Sequence, residues 1–151
     1  MKTLIIYDSI HGNTEKIAQA IAGAIGGEVK IVRAGEADVS ALATFDLVVL
    51  GAPTHGGQPS PNMREFLAKV PANALQGKKA AAFDTRIPAK WVKIFGFAAG
   101  KIAGSLKEMG ATVLGSEGFF VKKAEGPLLD GELERAAGWA KQWETWTKWA
   151  K

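Results

Sequence analysis

Short apolar runs and helix-period segments alternate along this chain, and that alternation leaves few architectures open. Leu4-Ile5-Ile6-Tyr7, Leu47-Val48-Val49-Leu50 and Ala80-Ala81-Ala82-Phe83 are apolar throughout, as strands covered on both faces should be. Val29-Lys30-Ile31-Val32 reads as another strand, and a fifth run is split into Thr112-Val113-Leu114 and Phe119-Phe120-Val121. Between them, Ile17, Ala18, Ile21, Ala24 and Ile25 recur at helical spacing until Gly26-Gly27 stops them. Ser60-Pro61 reads as an N-cap and a helix-starting proline ahead of Met63, Phe66, Leu67 and Val70. Ala98, Ala99, Ile102, Leu106 and Met109 form a third face, closed by Gly110. Asp130 is placed to cap a last helix whose face includes Leu133, Ala136, Ala137 and Ala140, and residues 40–44 suggest a short helical turn.

Strand and helix in repeated succession call for an α/β fold of three layers, a doubly wound five-stranded parallel sheet with helices on both faces. Right-handed crossovers pack back on the sheet only in that way. The 151 residues, free of linkers, repeats or low-complexity tracts, suit a single domain over 1–151. Ligands of such sheets lie beyond the carboxyl ends of the strands. The segments after Tyr7, Leu50, Phe83 and Val121 are therefore the places to search.

Composition removes several chemistries. With no cysteine there is no disulfide, thiolate metal site or cysteine nucleophile. The apolar start is too short for a signal peptide or a membrane span, so a cytoplasmic location is expected. The net charge of +4 is uneven. Residues 1–75 hold six Lys/Arg against seven Asp/Glu, and residues 76–151 hold thirteen against eight. From Arg86 to Lys107 there are five basic residues and no acidic one, which suits an anionic partner surface as well as a solvated face. No motif supports nucleic-acid recognition.

The first segment, Asp8-Ser9-Ile10-His11-Gly12-Asn13-Thr14, leads straight into a helix. Small hydroxyls, a glycine and a helix N-terminus offer converging donors to one anion, and a terminal phosphate fits. It is neither GxGxxG nor GxxxxGK[ST], and it holds no Lys or Arg before Lys16, so its donors are neutral. The second segment, Gly51-Ala52-Pro53-Thr54-His55-Gly56-Gly57-Gln58-Pro59-Ser60-Pro61, has three glycines and three prolines and reads as a shaped loop able to lie against a flat heterocycle. The third begins Asp84-Thr85-Arg86, polar and directly at a strand end.

Taken together, these segments resemble the flavodoxin family, and a short-chain member of it. Residues Ser9-Ile10-His11-Gly12-Asn13-Thr14 match the family's loop for the FMN phosphate. Gly51-Ala52-Pro53-Thr54-His55-Gly56-Gly57 resembles the loop flanking the isoalloxazine ring, and Asp84-Thr85-Arg86 the start of the loop on its other side. The resemblance implies strand order 2-1-3-4-5, noncovalent FMN, and electron transfer between redox partner proteins; the basic second half, a departure from a family typically acidic around the flavin, suits partners with acidic docking surfaces. It implies cofactor contacts from Ser9, Ile10, His11, Gly12, Asn13, Thr14, Pro53, Thr54, His55, Gly56, Gly57, Asp84, Thr85 and Arg86, with no catalytic acid, base or nucleophile and no metal. A peptide at Gly56-Gly57 would flip to accept a hydrogen bond from reduced flavin, and Arg86 would sit at the pyrimidine edge. Flavodoxins commonly stack an aromatic on the ring. The second segment offers only His55, and the third nothing aromatic before Trp91 and Phe95.

Other readings share the same pattern. A receiver domain needs an acidic cluster after the first strand and an acceptor Asp after the third, and the third run ends at Gly51. A hydrolase would pair Ser9 or Ser60 with His11 or His55, outside any GxSxG. An NAD(P)H-dependent FMN quinone reductase would use the same loops, and a regulatory or binding module of this fold could have little or no FMN. Trp139, Trp143 and Trp146 share one helical face, with Trp149 further round. Packing accounts for the first two, and the last two are candidates for partner contact. Trp91, Phe95 and Phe97 among Lys90, Lys93 and Lys101 read as a loop folding over the flavin edge in preference to a contact with a membrane or partner.

Overall fold

Main-chain structure is described here for residues 1–88 and 97–149, from a computed structural model, with side chains up to Trp143. Five parallel strands, β1 (Lys2–Tyr7), β2 (Glu28–Arg33), β3 (Leu47–His55), β5 (Lys79–Arg86) and β6 (Thr112–Phe120), lie in the order β2-β1-β3-β5-β6. A two-residue arm, β4 (Gln58–Pro59), pairs antiparallel with the end of β3. The long strands thus take the expected 2-1-3-4-5 order, with β4 added. Helices α1 (Asn13–Ala24), α2 (Pro61–Lys69) and α3 (Ala98–Glu108) lie in crossovers, 3-10 turns at Ala34–Glu36 and Val39–Thr44 occupy the connection from β2 to β3, and α4 (Glu132–Trp149) follows β6.

The continuous apolar runs are explained by a core on each face. Ile5, Val49, Ala81 and Phe83 pack towards α1 and α4, with Ile17, Ile21, Ala136 and Trp143. Their neighbours Leu4, Ile6, Val48, Leu50, Ala80 and Ala82 pack towards α2 and α3, with Met63, Phe66, Ile102 and Leu106. Because successive side chains in a strand point to opposite faces, a strand between two helical layers needs apolar residues at every position. The edge strand β2 has four exposed positions of six, which is why Lys30 interrupts it.

Several boundaries differ from the sequence reading. The third strand does not end at Gly51. It continues to His55 and turns through Gly56 (φ 55°) and Gly57 (φ 80°) into β4, so the expected loop is a hairpin with a two-glycine turn. The fourth run extends to Arg86, which makes Asp84-Thr85-Arg86 strand rather than loop. The split fifth run is one strand: the register shifts between Ala80 and Ala81, leaving Leu114 as the extra residue opposite them. Gly131, not Asp130, stands before the last helix, and its carbonyl accepts from the Arg135 N–H. The packed face of α4 is Glu132, Ala136, Ala140 and Trp143 with Trp139 alongside, while Leu133 is exposed. Lys90, Trp91, Lys93 and Phe95 fall outside the described residues, as do the side chains of Trp146 and Trp149.

Candidate functional site

Three strand ends and the segment after β6 converge on one cleft. It is lined by Ser9, Ile10, His11, Asn13, Thr14, Pro53, Thr54, His55, Thr85, Ile87 and Ala124, and opens to solvent at its mouth. Nine of these residues are among those the sequence singled out. Ile87 and Ala124 are additional.

The turn after β1 is shaped by its own side chains. Gly12 (φ 90°, ψ −5°) bends the chain into α1. Ser9 Oγ accepts hydrogen bonds from the N–H of Gly12 (3.0 Å) and of Glu15 (3.4 Å), folding the turn back on itself. The first helical N–H groups, at Asn13 and Thr14, then find no acceptor among the described residues. Beside them, Asn13 and Thr14 are buried, and Thr14 Oγ1 lies 2.9 Å from Thr85 Oγ1 of β5. Buried hydroxyls and unpaired helix N–H groups facing a cleft are the donor set an anion requires.

The segment after β6 closes one side. Asn13 Nδ2 donates to the Glu125 carbonyl at 3.1 Å, and Gly126 packs so tightly on Asn13 that a Cβ would lie 2.7 Å from Oδ1. Ala124 thereby reaches the cleft, with Lys122 and Lys123 exposed beside it. Two large apolar side chains that face water, Ile10 (54% exposed) and Ile87 (43%), also line the cleft. They supply apolar surface to a cleft whose described lining includes no Phe, Tyr or Trp.

Gly12, Gly56, Gly57, Asp84 and Arg86 do not line the cleft. Gly12 and the Gly56-Gly57 turn act through the backbone conformations already described. Asp84 and Arg86 alternate with Thr85 along β5, and so point to the opposite face of the sheet. There the fully buried Asp84 accepts from Arg86 Nε and Nη2, both at 2.7 Å, and from the N–H of Ala99 at 2.8 Å. The Arg86 guanidinium stacks on Phe97 at 3.6 Å, and a Cβ on Gly118 would collide with it. Arg86 is therefore held by Asp84 instead of facing a flavin edge as a free cation. Thr54 has a double role, lining the cleft while its Oγ1 accepts from the N–H of Ala98 at 3.1 Å. Phe97, the residue before α3, has no capping side chain, so Thr54 and Asp84 take over from neighbouring strands.

Beneath the turn, Tyr7 Oη donates to Glu15 Oε1 at 2.7 Å. Burial first, and then that hydrogen bond, push the Tyr7 hydroxyl above its ordinary pKa. On the other flank, Asp8 accepts from Ser60 Oγ and, at 3.4 Å, from Asn62 Nδ2. Ser60 donates to Asp8 and Ser9 accepts from backbone, so neither serine bonds a histidine among the described residues. The Ser–His geometry of a hydrolase is not assembled.

The profile of the Flavodoxin domain family matches residues 4–91, more than half of the chain. The chain belongs to the flavodoxin family. It is 33% identical over 91 residues to a flavodoxin of Aquifex aeolicus, a match covering 56% of this chain and 49% of that protein. It is 30% identical over 102 residues to an NAD(P)H dehydrogenase (quinone) of Chromohalobacter salexigens, covering 51% of each. The matches thus span about half the length of these curated relatives. Over nearly the whole chain the fold follows the two-electron reduced flavodoxin of Megasphaera elsdenii, with a TM-score of 0.71, 28% identity, and coverage of 93% of this chain and 98% of that one. No helix among the described residues is long and apolar enough to cross a membrane.

Proposed function

We propose that the whole chain is one flavodoxin domain whose cleft binds FMN and which carries electrons between redox partner proteins. The observation that carries this reading is the pair of unpaired N–H groups at Asn13 and Thr14, beside the buried Thr14 and Thr85 hydroxyls. These donors suit a phosphate, and the exposed Ile10 and Ile87 suit the apolar body of a flavin. The donors of the turn itself are neutral, as expected of a loop without Lys or Arg.

Bound FMN would supply the redox chemistry, accepting and releasing electrons. The chain's own residues hold the phosphate end at α1, fix the turn through Ser9 and Gly12, and close one side through Asn13 and Glu125. The Gly56-Gly57 turn, with both residues at positive φ, leaves a peptide at the cleft rim able to reorient at low cost. Lys122 and Lys123 beside the cleft favour a partner with an acidic docking surface.

Titration of the apoprotein with FMN, read by loss of flavin fluorescence, tests this reading. One-to-one binding much weaker for riboflavin is expected. Absence of binding at micromolar FMN would leave a binding module of this fold. A second reading, NAD(P)H-dependent quinone reduction, is favoured by the similarity to the Chromohalobacter protein and tested by NADPH-driven quinone reduction with this protein alone.

A further inference from the structure

A carboxylate stands where a bound phosphate tolerates it least. Glu15 is the third residue of α1 and the acidic residue of its first turn, close to the N–H groups of Asn13 and Thr14. A negative charge there stabilises the empty helix end but repels an anion directed at the same donors.

The structure surrounds that carboxylate with compensating groups. Tyr7 Oη donates to Glu15 Oε1, and Arg33 Nη2, from the last residue of β2, lies 3.7 Å from the same oxygen. The Arg33 guanidinium sits 5.3 Å from the Tyr7 ring centroid, and its Nη1 donates to the Ser9 carbonyl at 3.4 Å. Among the described residues, Arg33 is the cation that reaches the turn of residues 8–12. It lies nineteen positions after Thr14, which is why the turn read alone has only neutral donors.

We propose that Arg33 is the positioning residue that sets the selectivity of this site for phosphorylated over unphosphorylated flavin. It neutralises Glu15 and ties down the Ser9 carbonyl, so that the end of α1 meets a phosphate without an opposing charge. The inference rests on the FMN reading of the cleft. Arg33 is 46% exposed at its side chain and Glu15 34%, so as a surface ion pair it contributes little to folding. Its effect falls on the charge that a ligand meets. Because its N–H groups are directed to Ser9 and Glu15, Arg33 acts through them and not by touching the phosphate.

The test compares the ratio of riboflavin to FMN dissociation constants in four proteins: unsubstituted, Arg33→Gln, Glu15→Gln, and the double variant. Arg33→Gln should lower the ratio about three- to tenfold, the scale of one charge at a helix end, with riboflavin binding unchanged. Glu15→Gln should raise it, and the double variant should recover at least the unsubstituted ratio. The loss in Arg33→Gln should shrink at high ionic strength, and an unchanged thermal midpoint would separate it from a folding defect. An unchanged ratio in Arg33→Gln overturns the inference alone. A double variant as weak as Arg33→Gln overturns the route through Glu15. Equal FMN and riboflavin affinity in the unsubstituted protein refutes the phosphate reading, and this inference with it.

Discussion

Replacing Asp84 by Asn keeps the side chain's size and removes its charge at a site with no water access. Asp84 accepts three hydrogen bonds: two from Arg86, both at 2.7 Å, and one at 2.8 Å from the first turn of α3. The Asn carbonyl can keep one or two of these, but its amide then points a donor at a donor, and the Arg86 cation loses its counter-charge. Arg86 is only 17% exposed at its side chain, so solvent screens the loss weakly. Removing one partner of a buried pair costs about 3–5 kcal/mol. Asn keeps part of the network, so we take the lower part of that range, about 3–4 kcal/mol. At about 2–4 °C per kcal/mol for a chain of this length, the thermal midpoint should fall by roughly 6–16 °C. Urea unfolding followed by fluorescence, with unsubstituted protein alongside, measures the loss directly. A loss below about 1 kcal/mol would show that Asp84 is not the shared anchor of Arg86 and α3, and would refute the reasoning.

Gly51→Ala should cost about 1–3 kcal/mol by overpacking, because its Cβ would lie 2.0 Å from the buried Phe83 ring; chemical denaturation checks it. Asn13→Ala should weaken FMN binding, read by flavin fluorescence, and speed exchange of the Gly126 amide, which donates to the Lys123 carbonyl, since it removes the bond holding that segment; hydrogen exchange reads the second effect. Glu132 is partly desolvated, which raises its pKa, yet hydrogen bonds from Arg135 and from the Phe120 N–H hold it below the ordinary value. A folded pKa below the unfolded one means that its contribution is whole above the unfolded carboxylate range and is lost as pH falls through the folded value. Glu132→Gln should therefore be less stable by about 1–2 kcal/mol at neutral pH, and the gap should close on acidification in a series of urea midpoints.

The sheet was legible because burial on two faces leaves an unmistakable mark. Runs such as Leu47-Val48-Val49-Leu50 have no polar position, and a parallel strand between helical layers accounts for them. Strand ends were less legible, since Thr54, His55, Asp84 and Arg86 are polar residues at positions that still pair in the sheet. Polarity there marks the approach to the cleft and the capping of α3, not the end of a strand. The turn after β1 was readable from local composition, because most of the donors proposed for a phosphate lie within seven consecutive residues. Arg33, Ile87 and Ala124 were not, because only the parallel register of β2, β5 and β6 brings them there. The missing cap of α3 was a usable signal. A helix opening Phe97-Ala98-Ala99 has no Ser, Thr, Asp or Asn to receive its first N–H groups, so the acceptor had to come from elsewhere.

Amide chemical shifts of uniformly 15N-labelled apoprotein, followed as FMN is added, test the central claim most directly. The account predicts that the Asn13 and Thr14 amides move downfield and shift furthest, that inorganic phosphate alone moves the same two in the same direction, and that riboflavin leaves them nearly in place. Shifts that spare Asn13 and Thr14 while FMN binds would contradict it, and would place the phosphate away from the end of α1.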